Sequence, residues 1–255
     1  MGVVNITPDS FSDGGSFASA GAAVAHAQRL IEEGADLIDI GGESTRPGSL
    51  GVTLDEERRR VLPVLEKLAS GKVPVSVDTQ KPELMAEAIA AGAAMINDIN
   101  ALQAPGALEV VAASDAAVCL MHKKGTPADM QSDPRYEDVV GEVLAFLNSR
   151  VAAVRAAGTS ADRIVVDPGF GFGKTLEHNL ELLRRLARFN ETGAVVMAGL
   201  SRKSMLGRII GRDVGERVYA SVAAALIAAQ NGARIVRVHD VAATRDALAV
   251  LNALK

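Results

Sequence analysis

One local pattern occurs three times in this chain of 255 residues: a Gly, an Ala, and a short apolar run that meets a polar residue five positions after the Gly. The copies are EGADLIDIGGES from Glu33, AGAAMINDI from Ala91 and NGARIVRVHD from Asn231. A Gly after an amphipathic stretch is typical of a helix C-terminus, and an apolar run soon afterwards is typical of a buried parallel strand. The pattern therefore predicts a repeated unit of helix, glycine turn and strand, with a polar group at the carboxyl end of the strand.

Other apolar runs extend this unit to eight predicted strands, near residues 2–6, 35–41, 73–78, 94–99, 116–121, 164–167, 194–200 and 234–239. Helical periodicity fills the intervals. Eight strands leave about 32 residues for each unit, the length of a strand and helix with their loops. We therefore expect an α/β fold, a single-domain (β/α)8 TIM barrel over residues 1–255. A doubly wound open sheet is the alternative, because periodicity does not reveal whether the first and eighth strands pair.

Composition indicates a soluble protein that binds neither membranes nor nucleic acid. Hydrophobic residues make up 48% of the chain, yet no apolar run is long enough for a membrane span. The net charge of −4 is opposite to the excess of basic residues that is typical of nucleic-acid-binding proteins. Cys119 is the one cysteine, so we expect a small core residue and no disulfide or metal framework. The N-terminal residues resemble no targeting signal, which predicts a cytoplasmic protein.

Polar residues follow most of the predicted strands and should meet at one end of a barrel. They are Asn5, Asp39, Asp78, Asn97, His122, Asp167, Ser201 with Lys203, and Arg237 with His239. Two carboxylates and an amide suit a flat heterocycle with adjacent N–H donors. Glycoside hydrolysis is the competing use of paired carboxylates, but two Tyr and no Trp leave few platforms for sugar rings.

Loops predicted at the same end of the barrel contain further residues that could bind a ligand. DPGFGFGKT from Asp167 lacks the glycine spacing of a nucleotide-binding loop, so its glycines are interpreted as allowing a backbone to approach a ligand. Its Phe170 and Phe172 either cover a planar ring or pack beneath the loop. Arg237 and His239 share one strand face and suit an anion such as phosphate, or else form a salt bridge and a helix cap. Two loops rich in Gly, Pro and Ser, residues 7–17 and 41–49, are candidate lids.

Together these motifs resemble the dihydropteroate synthase family. They are NITPDSFSDGG at Asn5, DIGGESTRPG at Asp39, SVDT at Ser76, INDI at Ile96, LMHKKGTP at Leu120, DPGFGFGK at Asp167, LSRKS at Leu200 and RVHD at Arg237. The resemblance runs in order from residue 2 to about residue 240. It implies a (β/α)8 barrel that condenses a hydroxymethyl-dihydropterin diphosphate with p-aminobenzoate, releasing pyrophosphate and forming dihydropteroate in folate biosynthesis.

The resemblance also implies roles for individual residues. The pterin would be held by Asp78, Asn97, Met121, Asp167, Phe172 and Lys203. The diphosphate would be held by Asn5, Thr45, Arg237 and His239, with Mg²⁺ as cofactor and Asn5 as its ligand. The aminobenzoate would be held by Phe11, Thr45, Arg46, Pro47, Phe172, Lys203 and Ser204. The residues expected to act in catalysis are Asn5, Arg46, Lys203, Arg237 and His239. Sensitivity to sulfonamides and a homodimer are implied as well, and the dimer is expected to use helices near the seventh predicted helix, which reads YASVAAALIAAQ from Tyr219.

One departure from the family pattern lies beside the predicted pocket. Lys123 and Lys124 stand where the family often has Met or Gln, and their charge is expected to influence how the diphosphate approaches. Two relatives of the predicted activity stay open: a pterin-dependent methyltransferase, and a paralogue that binds pterin without turnover. The SRKS motif and both long loops favour the synthase over the methyltransferase, and Arg46 with Lys203 favours an active enzyme.

Overall fold

The structure is a computed structural model that describes residues 1–6, 16–44, 48–49, 51–126 and 129–254. Eight parallel strands form one sheet, in which each strand lies beside its neighbours in sequence. The strands are β1 Gly2–Asn5, β2 Ile38–Gly41, β3 Val75–Asp78, β4 Met95–Asp98, β5 Ala117–Met121, β6 Ile164–Asp167, β7 Val195–Ala198 and β8 Ile235–Val236. Each lies within the apolar run that predicts it.

The sheet closes between its first and last strands. The backbone N–H of Val3 donates to the carbonyl of Val238 at 3.1 Å, and the N–H of Val238 donates to the carbonyl of Met1 at 2.9 Å. Gly2 and Val238 thereby form a parallel bridge. These bonds confirm the predicted (β/α)8 barrel and exclude the open sheet.

Helices surround the strands in the described part of the chain. They are α1 Ser16–Glu32, α2 Leu54–Leu68, α3 Pro82–Ala90, α4 Ala107–Ala112, α5 Val139–Ala156, α6 Leu176–Arg184, α7 Ser204–Ile210, α8 Val218–Gln230 and α9 Val241–Ala253. The predicted seventh helix is α8, because the short helix α7 precedes it. No helix of the described ranges has both the length and the apolar character needed to cross a membrane.

Two of the helices begin at side-chain caps that fix the ends of the preceding loops. Thr53 accepts a hydrogen bond from the backbone N–H of Glu56 at the start of α2. Thr175 and His178 cap each other at the start of α6, at 3.1 and 3.2 Å. Such caps satisfy N–H groups that have no partner within the helix, each contributing about 1 kcal/mol. They define where the loops above β2 and β6 end.

Alternate strand residues divide the core into two parts. Residues such as Val4, Ile40 and Val77 point outward and pack beneath the helices. A second apolar cluster, which contains Cys119 and Met197, fills the interior of the barrel. Cys119 is a buried free thiol whose pKa is raised, mainly by burial, as expected of a core residue.

Along several strands, the inward-facing side chain nearest the carboxyl end is polar, whereas the inward-facing side chain before it is apolar. On β4, Asn97 follows Met95 by two residues, and on β6 Asp167 follows Val165 by two. Successive inward positions of a strand are two residues apart. The barrel is therefore filled with apolar side chains below and lined with polar groups at the carboxyl ends of its strands.

Candidate active site

The carboxyl ends of β3, β4, β5 and β6 bring four of the predicted pterin residues into one arc. Asp78 of β3 pairs in register with Asn97 of β4. Met121 of β5 pairs with Asp167 of β6. Asn5 of β1 pairs with Gly41, which in turn pairs with Asp78. Ligands of (β/α)8 barrels bind at this end.

Arg237 lies between two carboxylates in this arc. Its Nη2 is 2.6 Å from Oδ2 of Asp39 and 3.2 Å from Oδ2 of Asp78, and its Nε is 2.7 Å from Oδ2 of Asp39. Asp39 is fully buried. The structure therefore shows the salt-bridged arginine that the sequence left as the alternative to an anion site.

Asp39 also fixes the orientation of Asn97. The Nδ2 group of Asn97 donates to Oδ2 of Asp39 at 3.2 Å. An ionised carboxylate only accepts hydrogen bonds, so it must face the NH₂ end of the amide. The Oδ1 acceptor of Asn97 consequently points away from Asp39.

Asp39 lies at a predicted strand end, but its role in the site is not among the roles predicted from the sequence. A signal for it was present. Asp39, Asn97 and Arg237 occupy the same position in the three copies of the repeated pattern, five residues after Gly34, Gly92 and Gly232. The structure brings these three side chains into contact.

Asp167 of β6 lies across the barrel mouth from Asp39 of β2. Its Oδ1 accepts the backbone N–H of Gly169 at 2.7 Å. A methyl group placed on Gly199 would be 3.8 Å from Oδ2 of Asp167, 3.9 Å from Nζ of Lys203 and 3.9 Å from Cβ of Arg237. A methyl group at Gly199 would therefore be in ordinary van der Waals contact with both an acceptor and a donor of the site.

The two phenylalanines of the loop after β6 have different roles. Phe170 is fully buried in the main core, whereas Phe172 is partly exposed. The Lys203 ammonium group donates to the carbonyl of Phe170 and lies 4.9 Å from the centre of the Phe172 ring. A cation at this distance is attracted to the ring face. Phe172 alone of the pair is available to cover a planar ligand.

Burial shifts the pKa values of three site residues in the direction that favours their neutral forms. It raises the pKa of Asp78 to about 8, with help from Asp39 and against Arg237. It also raises the pKa of Asp167, against Lys203 and the Gly169 N–H. Burial lowers the pKa of Lys203 to about 8. The pocket therefore contains groups that exchange protons near neutral pH, as ligand sites often do.

The loop of residues 168–175 is held by a buried lysine. Nζ of Lys174 donates to the carbonyls of Gly169 at 2.9 Å and Phe172 at 3.0 Å, and lies 3.0 Å from Nδ1 of His122. Burial lowers the pKa of Lys174 well below its ordinary range. These contacts fix the backbone on both sides of Phe170 and so set the position of Phe172.

Two glycines let this loop lie directly on the segment after β5. Gly169 has φ +71°, and a Cβ there would be 1.9 Å from the carbonyl oxygen of His122. Gly173 has φ +66°, and its Cβ would be 2.2 Å from the carbonyl oxygen of Lys124. Only glycine fits at these positions. Their close approach is to protein backbone, a role different from the predicted approach to a ligand.

His122, one of the predicted strand-end residues, faces Lys174 instead of the arc. It is buried, and burial together with Lys174 lowers its pKa to about 3, so the ring is neutral. Lys123 donates to Oε1 of Gln80 at 3.3 Å. Lys124 donates to the carbonyl of Arg135 at 2.5 Å. Both lysines thus have partners in neighbouring connections, and their influence on the diphosphate stays a prediction.

The remaining predicted residues are only partly covered by the structure. His239 has its Nδ1 3.0 Å from Oγ of Ser201. Ser204 is the exposed first residue of α7 and follows Lys203 directly. The other predicted aminobenzoate and diphosphate residues lie outside the described residues: Phe11, Thr45, Arg46 and Pro47.

Comparison with known proteins identifies the family. The sequence model of the family described as "Pterin binding enzyme" matches residues 1–239. The dihydropteroate synthase of Neisseria meningitidis serogroup C is 52% identical over 259 aligned positions, which cover 100% of this chain and 92% of the relative.

Solved structures agree in fold and in sequence. A Xanthomonas albilineans dihydropteroate synthase with 4-aminobenzoic acid has a TM-score of 0.94 and 56% identity, covering 100% of this chain and 92% of its own. The enzyme from the same organism in complex with 7,8-dihydropteroate has a TM-score of 0.91 and 53% identity, with the same coverage. The chain therefore belongs to the dihydropteroate synthase family of pterin binding enzymes.

Proposed function

We propose that this protein condenses 6-hydroxymethyl-7,8-dihydropterin diphosphate with p-aminobenzoate, giving 7,8-dihydropteroate and pyrophosphate for folate biosynthesis. Membership of the family supports the reaction. The related structures from Xanthomonas albilineans contain 4-aminobenzoic acid in one case and 7,8-dihydropteroate in the other. The observation that carries the proposal is the arc of acceptors at Asp78, Asn97 and Asp167.

The arc suits the donor edge of a pterin. A pterin presents ring N–H and amino groups side by side, and each needs an acceptor when it leaves water. Asp78 and Asp167 are carboxylates, and Asp39 turns the oxygen of Asn97 outward as a third acceptor. Lys203 supplies a donor for an acceptor atom of the ring. Met121 and Phe172 provide the apolar and aromatic surfaces that flank it.

The cationic side of the pocket suits the diphosphate. Arg237 uses Nε and Nη2 for its two carboxylates. A guanidinium has five donors, so the Nη1 group is left for an anion. When the pterin engages Asp78, the fully buried Asp39 keeps Arg237 in place. His239, Asn5 and Thr45 complete the proposed diphosphate site.

Mg²⁺ is the proposed cofactor, with Asn5 as its protein ligand. The described residues contain no group of three or more His, Cys, Asp or Glu that would hold a metal ion by themselves. Mg²⁺ keeps several waters and is commonly held by substrate phosphates with few protein ligands. A single amide oxygen from Asn5 fits an ion that arrives with the diphosphate. When bound, the ion supplies positive charge at the leaving group.

The reaction breaks one C–O bond and forms one C–N bond. The bond between the pterin methylene carbon and the diphosphate breaks, and its electron pair leaves with pyrophosphate. Arg237 and His239 stabilise that negative charge, as preorganised donors do for a leaving group. The amine nitrogen of p-aminobenzoate then gives its lone pair to the methylene carbon and releases a proton to solvent.

The second substrate is proposed to bind beside Lys203. Phe172, Lys203 and Ser204 lie together on the described part of this side, and Phe11, Thr45, Arg46 and Pro47 are proposed to complete the pocket. Sulfonamides resemble p-aminobenzoate in shape and charge. We expect them to inhibit in competition with p-aminobenzoate, and inhibition that excess p-aminobenzoate does not relieve would contradict this pocket.

We further propose that the protein acts as a cytoplasmic homodimer. Large apolar side chains are exposed on α7, α8 and α9, with Ile209 at 53%, Tyr219 at 83% and Val250 at 67%. α8 is in contact with both α7 and α9, and a contiguous exposed apolar patch commonly marks a protein interface. Sedimentation that gives only a 26.5 kDa species at micromolar concentration would contradict the dimer.

One assay tests the reaction against its alternatives. Pyrophosphate release from the pterin diphosphate is measured with and without p-aminobenzoate, and dihydropteroate is quantified in the same samples. We expect equal amounts of both products, and release only when both substrates are present. Pterin binding without release would indicate a non-catalytic paralogue. Methyl transfer involving a methylated pterin would indicate the methyltransferase instead.

A further inference from the structure

Arg202 and Asp240 form an ion pair between the connection after β7 and the connection after β8. The Nε group of Arg202 donates to Oδ2 of Asp240 at 3.1 Å, and its Nη2 group donates to Oδ1 at 2.6 Å. Two parallel bonds of this kind fix the orientation of both groups as well as the distance between them. The proposed reaction uses neither residue, so the pair needs a separate explanation.

Each member of the pair is next to a residue of the proposed site. Arg202 lies between Ser201 and Lys203, and Asp240 directly follows His239. Ser201 also joins the same two connections, because its Oγ accepts the backbone N–H of His239 at 3.2 Å. Two consecutive residues after β7 are therefore bound to two consecutive residues after β8.

Arg202 occupies the third position of a tight turn. The backbone N–H of Lys203 donates to the carbonyl of Leu200 at 3.2 Å, which closes a turn of four residues. Arg202 has φ +59° in this turn. Glycine is the preferred residue at a turn position with positive φ, and a long side chain there is unusual. The chain thus has an unfavourable backbone conformation at the residue that pairs with Asp240.

The surrounding residues hold the backbone of Arg202 in this conformation. Its N–H donates to Oγ of Ser221 in α8 at 2.9 Å, and its carbonyl accepts Nη1 of Arg217 at 3.0 Å. Arg217 directly precedes α8. Strained backbone conformations persist where neighbours determine them in several ways, and they are frequent at functional sites. With the ion pair, three separate groups of Arg202 are fixed.

The ion pair is the principal contact of the Asp240 carboxylate. Among the described residues, this carboxylate forms hydrogen bonds only with Arg202. Asp240 directly precedes α9, but its side chain does not cap the helix. The side chain is 16% exposed, so the charge is largely removed from water. The contact with Arg202 therefore accounts for the placement of a carboxylate at this position.

The two connections carry groups that are proposed to act at the two ends of the reacting bonds. Lys203 is proposed to contact the pterin and p-aminobenzoate, whereas Arg237 and His239 are proposed to bind the diphosphate. A Cβ placed on Gly199 would be 3.9 Å from both Nζ of Lys203 and Cβ of Arg237, so these groups are close neighbours. The attacking amine and the leaving pyrophosphate have to be aligned with the methylene carbon between them, and small misplacements are costly.

We propose that Arg202 is a positioning residue. Through Asp240 it holds the connection after β7, which carries Lys203, in a fixed orientation to the connection after β8, which carries His239. The amine-binding and diphosphate-binding ends of the site are thereby aligned. The proposal rests on the proposed function. The acceptors of the arc lie on β3, β4 and β6, so binding of the pterin ring alone does not depend on the pair.

Arg202→Gly tests this role without the strained backbone. Glycine adopts positive φ freely, so the turn should persist while the ion pair is lost. We expect kcat to fall about tenfold, the cost of imperfect alignment, and affinity for a pterin analogue without the diphosphate to stay within about twofold. The melting temperature should stay within about 4 °C of the wild type, the size expected for one partly exposed ion pair in a chain of this length.

A second variant and a control separate the ion pair from other effects. Asp240→Asn breaks the pair from the other side and leaves the turn unchanged, so it should give the same changes even if Arg202→Gly does not fold. Asp36→Asn is the matched control, because Asp36 pairs with Arg245 of α9 at 3.1 Å and precedes β2 at the opposite end of the barrel. It should leave kcat and pterin affinity unchanged.

A binding measurement does not require turnover. Calorimetry without p-aminobenzoate compares the pterin diphosphate with the analogue that lacks the diphosphate. The gain in affinity from the diphosphate should be about fivefold smaller in Asp240→Asn than in the wild type, an effect within the usual range for coupled contacts. Asp36→Asn should show the gain of the wild type.

Three outcomes would overturn the proposal. They are a wild-type kcat in Asp240→Asn, an equal loss of affinity for the two pterin ligands, and a lowered melting temperature with unchanged kinetics, which would indicate a purely structural ion pair. A wild type that binds the pterin diphosphate but forms no product would contradict the proposed function instead. The comparison of the two ligands would still decide whether the pair aligns the site.

Discussion

Asp39 and Arg237 lie 198 positions apart in sequence, and Oδ2 of Asp39 is 2.6 Å from Nη2 of Arg237 and 2.7 Å from its Nε. Both residues come five positions after a glycine in copies of the same sequence pattern, and Asn97 takes that position in the third copy. The three side chains form one contact group at the mouth of the barrel. The repeated unit thus places an acidic, an amide and a basic side chain at equivalent positions, where they form hydrogen bonds with one another.

Asp39→Asn should weaken pterin binding by about tenfold, the effect of losing roughly 1.4 kcal/mol from a charge-assisted hydrogen bond. An amide in place of the carboxylate offers Arg237 one acceptor atom and no charge. Because an amide can donate as well as accept, the new side chain no longer forces Asn97 to turn its NH₂ group towards position 39. The Oδ1 acceptor of Asn97, which is proposed to face the pterin, is then less well fixed. Calorimetry with a pterin analogue that lacks the diphosphate measures the change.

Ser76→Ala is the control for Asp39→Asn. Ser76 pairs with Asp39 in the register of β2 and β3 and is fully buried, and no described residue forms a hydrogen bond with its hydroxyl. Its removal disturbs the same layer of the barrel without changing the contacts of Arg237. Equal affinities for Asp39→Asn and Ser76→Ala would remove Asp39 from the site.

Much of the fold follows from local patterns in the sequence. Each strand is a short apolar run, and runs such as IVVD at β6 are detectable without any partner. Closure of the barrel is different, because it depends on hydrogen bonds between Met1, Val3 and Val238 at opposite ends of the chain. The helix α7 is not predicted from the sequence either, since its seven residues show too little periodicity.

The site also contains residues that the sequence predicts and contacts that it does not. Strand ends indicate Asp78, Asn97 and Asp167, because their positions depend only on where apolar runs stop. The separation of Phe170 from Phe172 depends on how one loop folds back over another. The contact between Lys174 and His122 depends on the same packing. Sequence spacing contains no information about such contacts between loops.

Asp167→Asn should reduce pterin affinity several-fold or more, from the loss of a charge-assisted bond worth roughly 1.5–3 kcal/mol. The amide keeps the size of the side chain, but one of its two ends becomes a donor facing the N–H groups of the ring. Gly169 continues to need an acceptor for its N–H. Unchanged pterin binding in calorimetry would exclude Asp167 from the pocket.

Gly199→Ala should leave the fold intact and weaken pterin binding. The added methyl would stand 3.8 Å from Asp167 and 3.9 Å from Lys203, which is ordinary van der Waals contact. It would nevertheless occupy space between two groups proposed to hold the ring. We expect an unchanged melting temperature and an affinity loss of about tenfold, about 1.4 kcal/mol, within the usual cost of overpacking. Wild-type affinity would place the ring elsewhere.

Pterin affinity should be greatest near pH 8. Below that pH, Asp78 is mostly protonated in the free protein because its pKa is raised to about 8. Binding to the ionised carboxylate therefore releases a proton, and affinity rises with pH by at most about tenfold per unit. Above pH 8, Lys203 loses its charge, since its pKa is lowered to about 8, and affinity falls. Calorimetry in buffers with different ionisation enthalpies measures the proton release.

The same raised pKa has a consequence for stability. The Asp78 carboxyl ionises near its ordinary pKa of 3.8 in the unfolded chain, whereas in the folded protein its pKa is about 8. The folded state thus binds more protons between these values, and the free energy of unfolding falls as pH rises through this range. Asp78→Asn should remove that part of the pH dependence while abolishing tight pterin binding. A pH profile of stability identical to the wild type would contradict the raised pKa.

The last prediction concerns the first loop, residues 7–17, most of which lies outside the described residues. The proposed pterin contacts come from β3, β4, β5 and β6 and from Lys203, all in the described part of the chain. Replacing residues 10–14 with a short Gly linker, while keeping Asn5, should therefore largely preserve binding of a pterin analogue without the diphosphate. The same variant should lose p-aminobenzoate binding and most of its activity, because a loop that closes over two substrates orients the second. If pterin affinity is lost and p-aminobenzoate still binds, the roles assigned to the strands and to this loop are reversed.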